Sequence, residues 1–195
     1  MEKTMYGILK TTGICPIMVA PEPDAAVPAA RALVAGGLPV CEILMRNEES
    51  LGHLKNIARD VPEIIVGAGT VLNVRQAEKV IDLGAQFIVM PGFDAEIVEL
   101  CLKKNISVLP GCVTPTEIMM ALRYGIRVLK FFPVYQMGGN EILAQLNNGP
   151  FGNVEWVVPG GLDGRNFLPL LAHPNTIAAG GDWMFNEHNA LKENK

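Results

Sequence analysis

An apolar run rich in branched residues and closed off by Gly, Pro or Asn recurs eight times along this chain, and amphipathic stretches of helical period separate the runs. The runs, read as strands, are 14–20, 38–45, 63–70, 87–91, 107–112, 128–133, 155–161 and 176–181. The stretches 24–35, 49–59, 74–83, 95–104, 116–124, 140–146 and 164–171 read as helices, with Asp94 and Thr116 as caps. Strict alternation of strand and helix implies a parallel sheet, and eight such units imply that the sheet closes on itself. The expected fold is therefore α/β, a (β/α)8 TIM barrel of eight parallel strands. An open doubly wound sheet is the alternative, but no Gly-x-Gly-x-x-Gly follows the first strand. Residues 1–10 are expected to form an extra helix over the barrel floor, and the stretch after the eighth strand leaves room for only a short last outer helix, or none.

Composition narrows the class of function. A chain of 195 residues with 49% hydrophobic and 18% charged residues suits one substantial core, so residues 1–195 are expected to form a single domain. The net charge is −4 and no Lys/Arg-rich run occurs, which argues against nucleic acid and membrane partners and for a small-molecule substrate. Cys15, Cys41, Cys101 and Cys112 lack Cys-x-x-Cys spacing and read as reduced thiols, and neither a secretory leader nor a bilayer-length apolar stretch is evident. A cytoplasmic location is expected. His53, His173 and His188 are scattered without metal-ligand or triad spacing, so no metal and no cofactor is expected. Met119 and Met120 read as core filler, and Met45 and Met90 as residues near the barrel mouth.

The chemistry points to Lys130. It stands inside Val128-Leu129-Lys130-Phe131-Phe132-Pro133-Val134, with no acid in the run to neutralise it. On a strand Lys130 shares a face with Val128 and Phe132. Burial there would penalise the ammonium form and favour a nucleophilic amine able to form a Schiff base, whereas an amine that snorkels to solvent would be inert. In a barrel of this kind the site lies at the carboxyl ends of the strands. The second strand places Glu42, Leu44 and Arg46 on one face, an acid in the barrel and a cation about 13 Å further along at the rim. A buried acid needs a partner, and Lys130 is the expected one, either in an inert ion pair or with Glu42 as a proton shuttle. Arg46 is a candidate clamp for a substrate carboxylate, and Thr70, which closes Gly67-Ala68-Gly69-Thr70, either adds a hydroxyl or caps the next helix. Pro159-Gly160-Gly161 and Gly180-Gly181-Asp182 fall after the seventh and eighth strands, where barrel enzymes hold anions on backbone amides.

Six segments in order, Glu42-Ile43-Leu44-Met45-Arg46, Gly67-Ala68-Gly69-Thr70-Val71-Leu72, Pro91-Gly92, Leu109-Pro110-Gly111, Lys130-Phe131-Phe132-Pro133 and Gly160-Gly161, resemble those of the 2-keto-3-deoxy-6-phosphogluconate/4-hydroxy-2-oxoglutarate aldolases. The resemblance runs from about Ile8 to Trp183. It implies a metal-free, class I, pyruvate-forming aldolase assembled as a homotrimer. By position it implies Lys130 as the Schiff-base lysine and Glu42 as the general acid/base. Arg46, Thr70 and Pro91 would surround the pyruvate moiety, and Phe132 would pack beside the imine. Pro159 departs from the family's usual threonine and Asp182 from its usual serine, in the loops that with Gly160, Gly161 and Gly181 would hold the substrate tail. From Asp182, read as the cap of a helix starting near Trp183, the expectation is a preference for unphosphorylated 2-keto-3-deoxy or 4-hydroxy-2-keto acids. Two other classes compete with the aldolase: a sugar-acid-binding barrel without turnover, and a phosphosugar isomerase or epimerase, which needs no Schiff base.

Overall fold

The computed structural model describes residues 4–19 and 24–185. The expected strand end at residue 20, His188 and most of the stretch after the eighth strand lie outside them. The chain runs α1 (Met5–Thr12), β1 (Ile14–Met18), α2 (Ala26–Ala35), β2 (Val40–Leu44), α3 (Glu49–Asp60), β3 (Ile65–Gly69), α4 (Val74–Asp82), β4 (Phe87–Val89), α5 (Ala95–Lys103), β5 (Ser107–Leu109), α6 (Pro115–Arg123), β6 (Val128–Lys130), α7 (Gly139–Asn148), β7 (Glu155–Pro159), α8 (Leu168–Leu171) and β8 (Thr176–Gly181), then a 3-10 turn at Trp183–Phe185.

All strands pair in parallel, in the order β5-β4-β3-β2-β1-β8-β7-β6. A bridge between Gly111 and Lys130 closes the ring. There the Lys130 N–H donates to the Pro110 carbonyl at 2.9 Å and the Cys112 N–H donates to the Lys130 carbonyl at 2.9 Å. The fold is the expected (β/α)8 barrel, and the open-sheet alternative falls with that closure.

Two apolar layers hold it. Met5, Ile8 and Leu9 of α1 pack with Cys15, Val40, Phe87, Val89, Leu109, Val157, Ile177 and Ala178, so the expected extra helix does cover the floor. Tyr6 docks the helix by donating its hydroxyl to the Val108 carbonyl at 2.7 Å, and Lys10 pairs with Glu155 at 2.8 Å. The opposite strand faces pack on the outer helices, with Phe131 against Trp156 edge to face at 5.5 Å. Leu129 and Phe131 therefore point away from the barrel interior, as the alternation around Lys130 requires.

Some local expectations are corrected. The cap of α6 is Thr114, not Thr116: Pro115 takes the first helical turn, and Thr114 and Glu117 bond each other's backbone in a capping box. Asp94 caps α5 as expected, accepting from Ile97 N–H at 3.0 Å. α8 is a single turn rather than 164–171, because the Asp163 carboxylate accepts from the N–H groups of Arg165 and Asn166 while Asn166 donates to Gly161 O. Met119 is exposed, since Ile118 and Ala121 occupy the core face of α6 and its neighbour on the helix turns outward.

Candidate active site

Period-two alternation on β2 puts Val40 in the floor layer and Leu44 at the barrel mouth, so Glu42 between them points inward. The glycines of β3 make room for it. A side chain on Gly69 would occupy the space of the Glu42 carboxylate, and one on Gly67 would overlap the Phe87 ring. The run Gly67-Ala68-Gly69 is thus a hollow shaped for an acid and an aromatic ring, which accounts for two glycines inside a strand.

Glu42 is buried and its Oε1 has no hydrogen-bond partner. It forms no contact ion pair with Lys130, contrary to the pairing expected from sequence, although both face the same interior. Burial pushes its carboxyl above the ordinary value of 4.5, opposed by the nearby charges of Lys130 and Arg46. Cys15 lies close enough to feel Glu42, Cys41 and Lys130, and burial drives its thiol well above the usual range, so it is an inert neighbour.

Lys130 sits at the carboxyl end of β6, 7% exposed, with its Nζ 5.4 Å from the centroid of the Phe132 ring. It lines a cavity of about 320 Å³ at the barrel mouth. The same cavity is lined by Arg46, Thr70, Pro91 and Phe132, and by Pro159, Gly160, Gly161, Gly181 and Asp182. Every residue expected to hold substrate therefore lines one opening, with Glu42 beneath it.

Thr70 does not cap the next helix; Asn73 does, accepting from Gln76 N–H. Thr70 has φ 61, a left-handed conformation that a β-branched residue adopts at a cost of roughly 1–3 kcal/mol. Backbone strain of that kind is tolerated where it aims a group, and here it puts Thr70 at the cavity. Asp182 does not cap by its carboxylate either: its main-chain carbonyl accepts from Phe185 N–H at 2.9 Å, and its side chain is exposed at the cavity.

Ile17, Leu44, Leu162 and Gly180 complete the lining, and none of the four was singled out as a site residue. For the first two the signal was present, since Ile17 follows Cys15 and Leu44 follows Glu42 at period two. Met90 is buried away from the opening, and Met45 lines a neighbouring recess of about 270 Å³ between α3 and α4. His53 and His173 are buried apart from the cavity, and burial lowers the pKa of His173. Among the described residues no cluster of His, Cys, Asp or Glu is arranged to hold a metal ion.

A lysine held among apolar groups at the mouth of a (β/α)8 barrel, in one cavity with an arginine and facing the same interior as an unpaired acid, fits the class of Schiff-base lyases acting on keto acids. The chain belongs to the KDPG and KHG aldolase family, whose family model matches residues 5–195. It is 39% identical over 183 residues to the KHG/KDPG aldolase of Escherichia coli (strain K12), covering 93% of this chain and 85% of that one. To the 2-dehydro-3-deoxy-phosphogluconate aldolase of Treponema pallidum it is 36% identical over 181 residues, covering 93% of this chain and 86% of that one. Among solved structures, a KDPG aldolase of Legionella pneumophila with pyruvate captured at low pH as a covalent carbinolamine intermediate superposes with a TM-score of 0.88 at 32% identity, covering 95% of this chain and 90% of that one. The protein is a class I pyruvate aldolase, an aldehyde-lyase.

Proposed function

We propose that Lys130 forms the Schiff base and that Glu42 moves the protons of a retro-aldol cleavage releasing pyruvate and an aldehyde. One observation carries this reading: Lys130 lines a single cavity together with Arg46 and Thr70, and the buried Glu42, its Oε1 without a partner, faces the same barrel interior two residues before the cavity-lining Leu44. The substrate carboxylate pairs with Arg46, and the Thr70 hydroxyl donates to it.

The Lys130 amine adds to the C2 ketone, and its proton passes to the former carbonyl oxygen to give a carbinolamine. Glu42, as the acid, protonates that hydroxyl, which leaves as water, so an iminium and a carboxylate now face each other. The carboxylate takes the C4 hydroxyl proton, the C3–C4 bond breaks, and its electron pair moves into the iminium to leave a neutral enamine and the aldehyde. Glu42 then protonates C3, and water adds to the regenerated iminium to release pyruvate and the free amine. Phe132, whose ring centroid lies 5.4 Å from the Lys130 Nζ, keeps water off the imine.

The wider reading is of one catalytic domain that acts without a cofactor, assembled as a homotrimer in the cytoplasm. Family membership supports the trimer, and light scattering tests it. No helix among the described residues is long and apolar enough to cross a membrane. The catalytic assignment is tested by pyruvate release from 4-hydroxy-2-oxoglutarate and from a 2-keto-3-deoxy sugar acid. Native enzyme should cleave at least one, and Lys130→Met should cleave neither while keeping its circular dichroism spectrum. Turnover by folded Lys130→Met would remove the lysine from the mechanism.

A further inference from the structure

We infer that Asp182 sets substrate choice at this site, selecting a neutral, hydroxylated tail over its phosphate ester; the inference rests on the aldolase reading above. The cavity has two chemically different ends. Arg46, Thr70 and Pro91, from the ends of β2, β3 and β4, form one side, and Lys130 fixes where the ketone carbon must lie. With the acid group at Arg46, the rest of the substrate runs toward the loops after β7 and β8. That end is lined by Pro159, Gly160, Gly161, Leu162, Gly181 and Asp182.

Its charge is the reverse of what a phosphate needs. Arg46 and Lys130 are the only cations among the described lining residues, and both are committed to the keto-acid end. Pro159 brings neither an N–H nor a hydroxyl, and Leu162 is apolar. Arg165, the cation nearest in sequence, is held by Asp163 through Nε at 3.2 Å and Nη2 at 2.8 Å and does not line the cavity. The Phe185 amide is taken by the Asp182 carbonyl.

The Asp182 side chain is exposed and lines the cavity. A carboxylate exposed at the cavity is a strong acceptor for substrate hydroxyls and a repeller of anions. At about 4 Å, with water-like screening suited to an exposed group, one unit of like charge weakens binding about fivefold, and a dianion about thirtyfold.

The test compares kcat/KM for an unphosphorylated 2-keto-3-deoxy sugar acid and its terminal phosphate ester in native enzyme, Asp182→Asn and Asp182→Ser, at low and high salt. Native enzyme should favour the unphosphorylated acid. Both variants should swing the ratio toward the ester by about tenfold or more, mostly through KM for the ester, and salt should narrow the native preference. A native enzyme that handles the ester equally well or better, or a smaller swing in the variants, overturns the inference. Reductive trapping of pyruvate is run on the same preparations. An adduct with an unmoved ratio overturns this inference alone, whereas the absence of any adduct overturns the aldolase reading and this inference with it.

Discussion

Glu42 is the residue on which stability and chemistry pull in opposite directions. Burial raises its carboxyl pKa, so the folded state holds a proton that the unfolded chain releases above about 4.5. The associated stability is fully present below that pH and is lost as pH rises through the folded value. Glu42→Gln should therefore match native stability near pH 4 and exceed it at pH 7 to 8, as read by thermal melts across that range. The same variant should slow solvent exchange of pyruvate methyl protons by at least about 100-fold. Exchange at the native rate would exclude Glu42 from proton transfer. Gly69→Ala probes the hollow: its Cβ would displace the carboxylate, costing about 1–3 kcal/mol in stability and slowing exchange by about tenfold or more, while Lys130 still traps pyruvate. Period two on β2 made Glu42 and Arg46 legible in the sequence, and an apolar run did the same for Lys130. The absence of a Glu42–Lys130 pair, the hollow at Gly69 and the left-handed turn at Thr70 depend on the meeting of β2, β3 and β6, which no single segment records.

Strand and helix order was legible because each element announces itself locally: branched runs for strands, 3.6 periodicity for helices. The ends were less so. Thr114 and Thr116 offer equal hydroxyls, and only the Pro between them and the Glu three positions past Thr114 separate the two. Replacing Thr114 by Ala should lower stability by about 1 kcal/mol and leave kcat unchanged, since the box lies outside the cavity. Its acidic half has a pH signature. Burial acts to raise the Glu117 pKa, but hydrogen bonds from Val113 and Thr114 prevail and hold it below 4.5. The contribution of the box is therefore present above that value and fades as pH falls through the folded one, so native and Thr114→Ala melts should converge in acid. α8 was over-read for a related reason, because Asp163 and Asn166 spend their side chains on the loop that precedes it.

Closure makes eight local units into one site. The bridge that joins β5 to β6 runs through the backbone of Lys130, so the hydrogen bonds that complete the barrel also fix the root of the amine. α1 seals the opposite end, which leaves the mouth as the approach to Glu42 and Lys130. The barrel was legible from the count and order of its elements, and the identity of the mouth followed from the polarity of parallel strands. What the sequence could not supply was how the acid and the amine are set relative to each other across the barrel, which is a consequence of shear and closure. The central claim is that this arrangement makes the Lys130 amine a nucleophile toward pyruvate. Borohydride reduction in the presence of pyruvate, followed by peptide mass spectrometry, measures that directly. The account predicts one reduced pyruvyl adduct per chain, located on Lys130 and lost in Lys130→Met. An adduct at another lysine, or none in active enzyme, would contradict it.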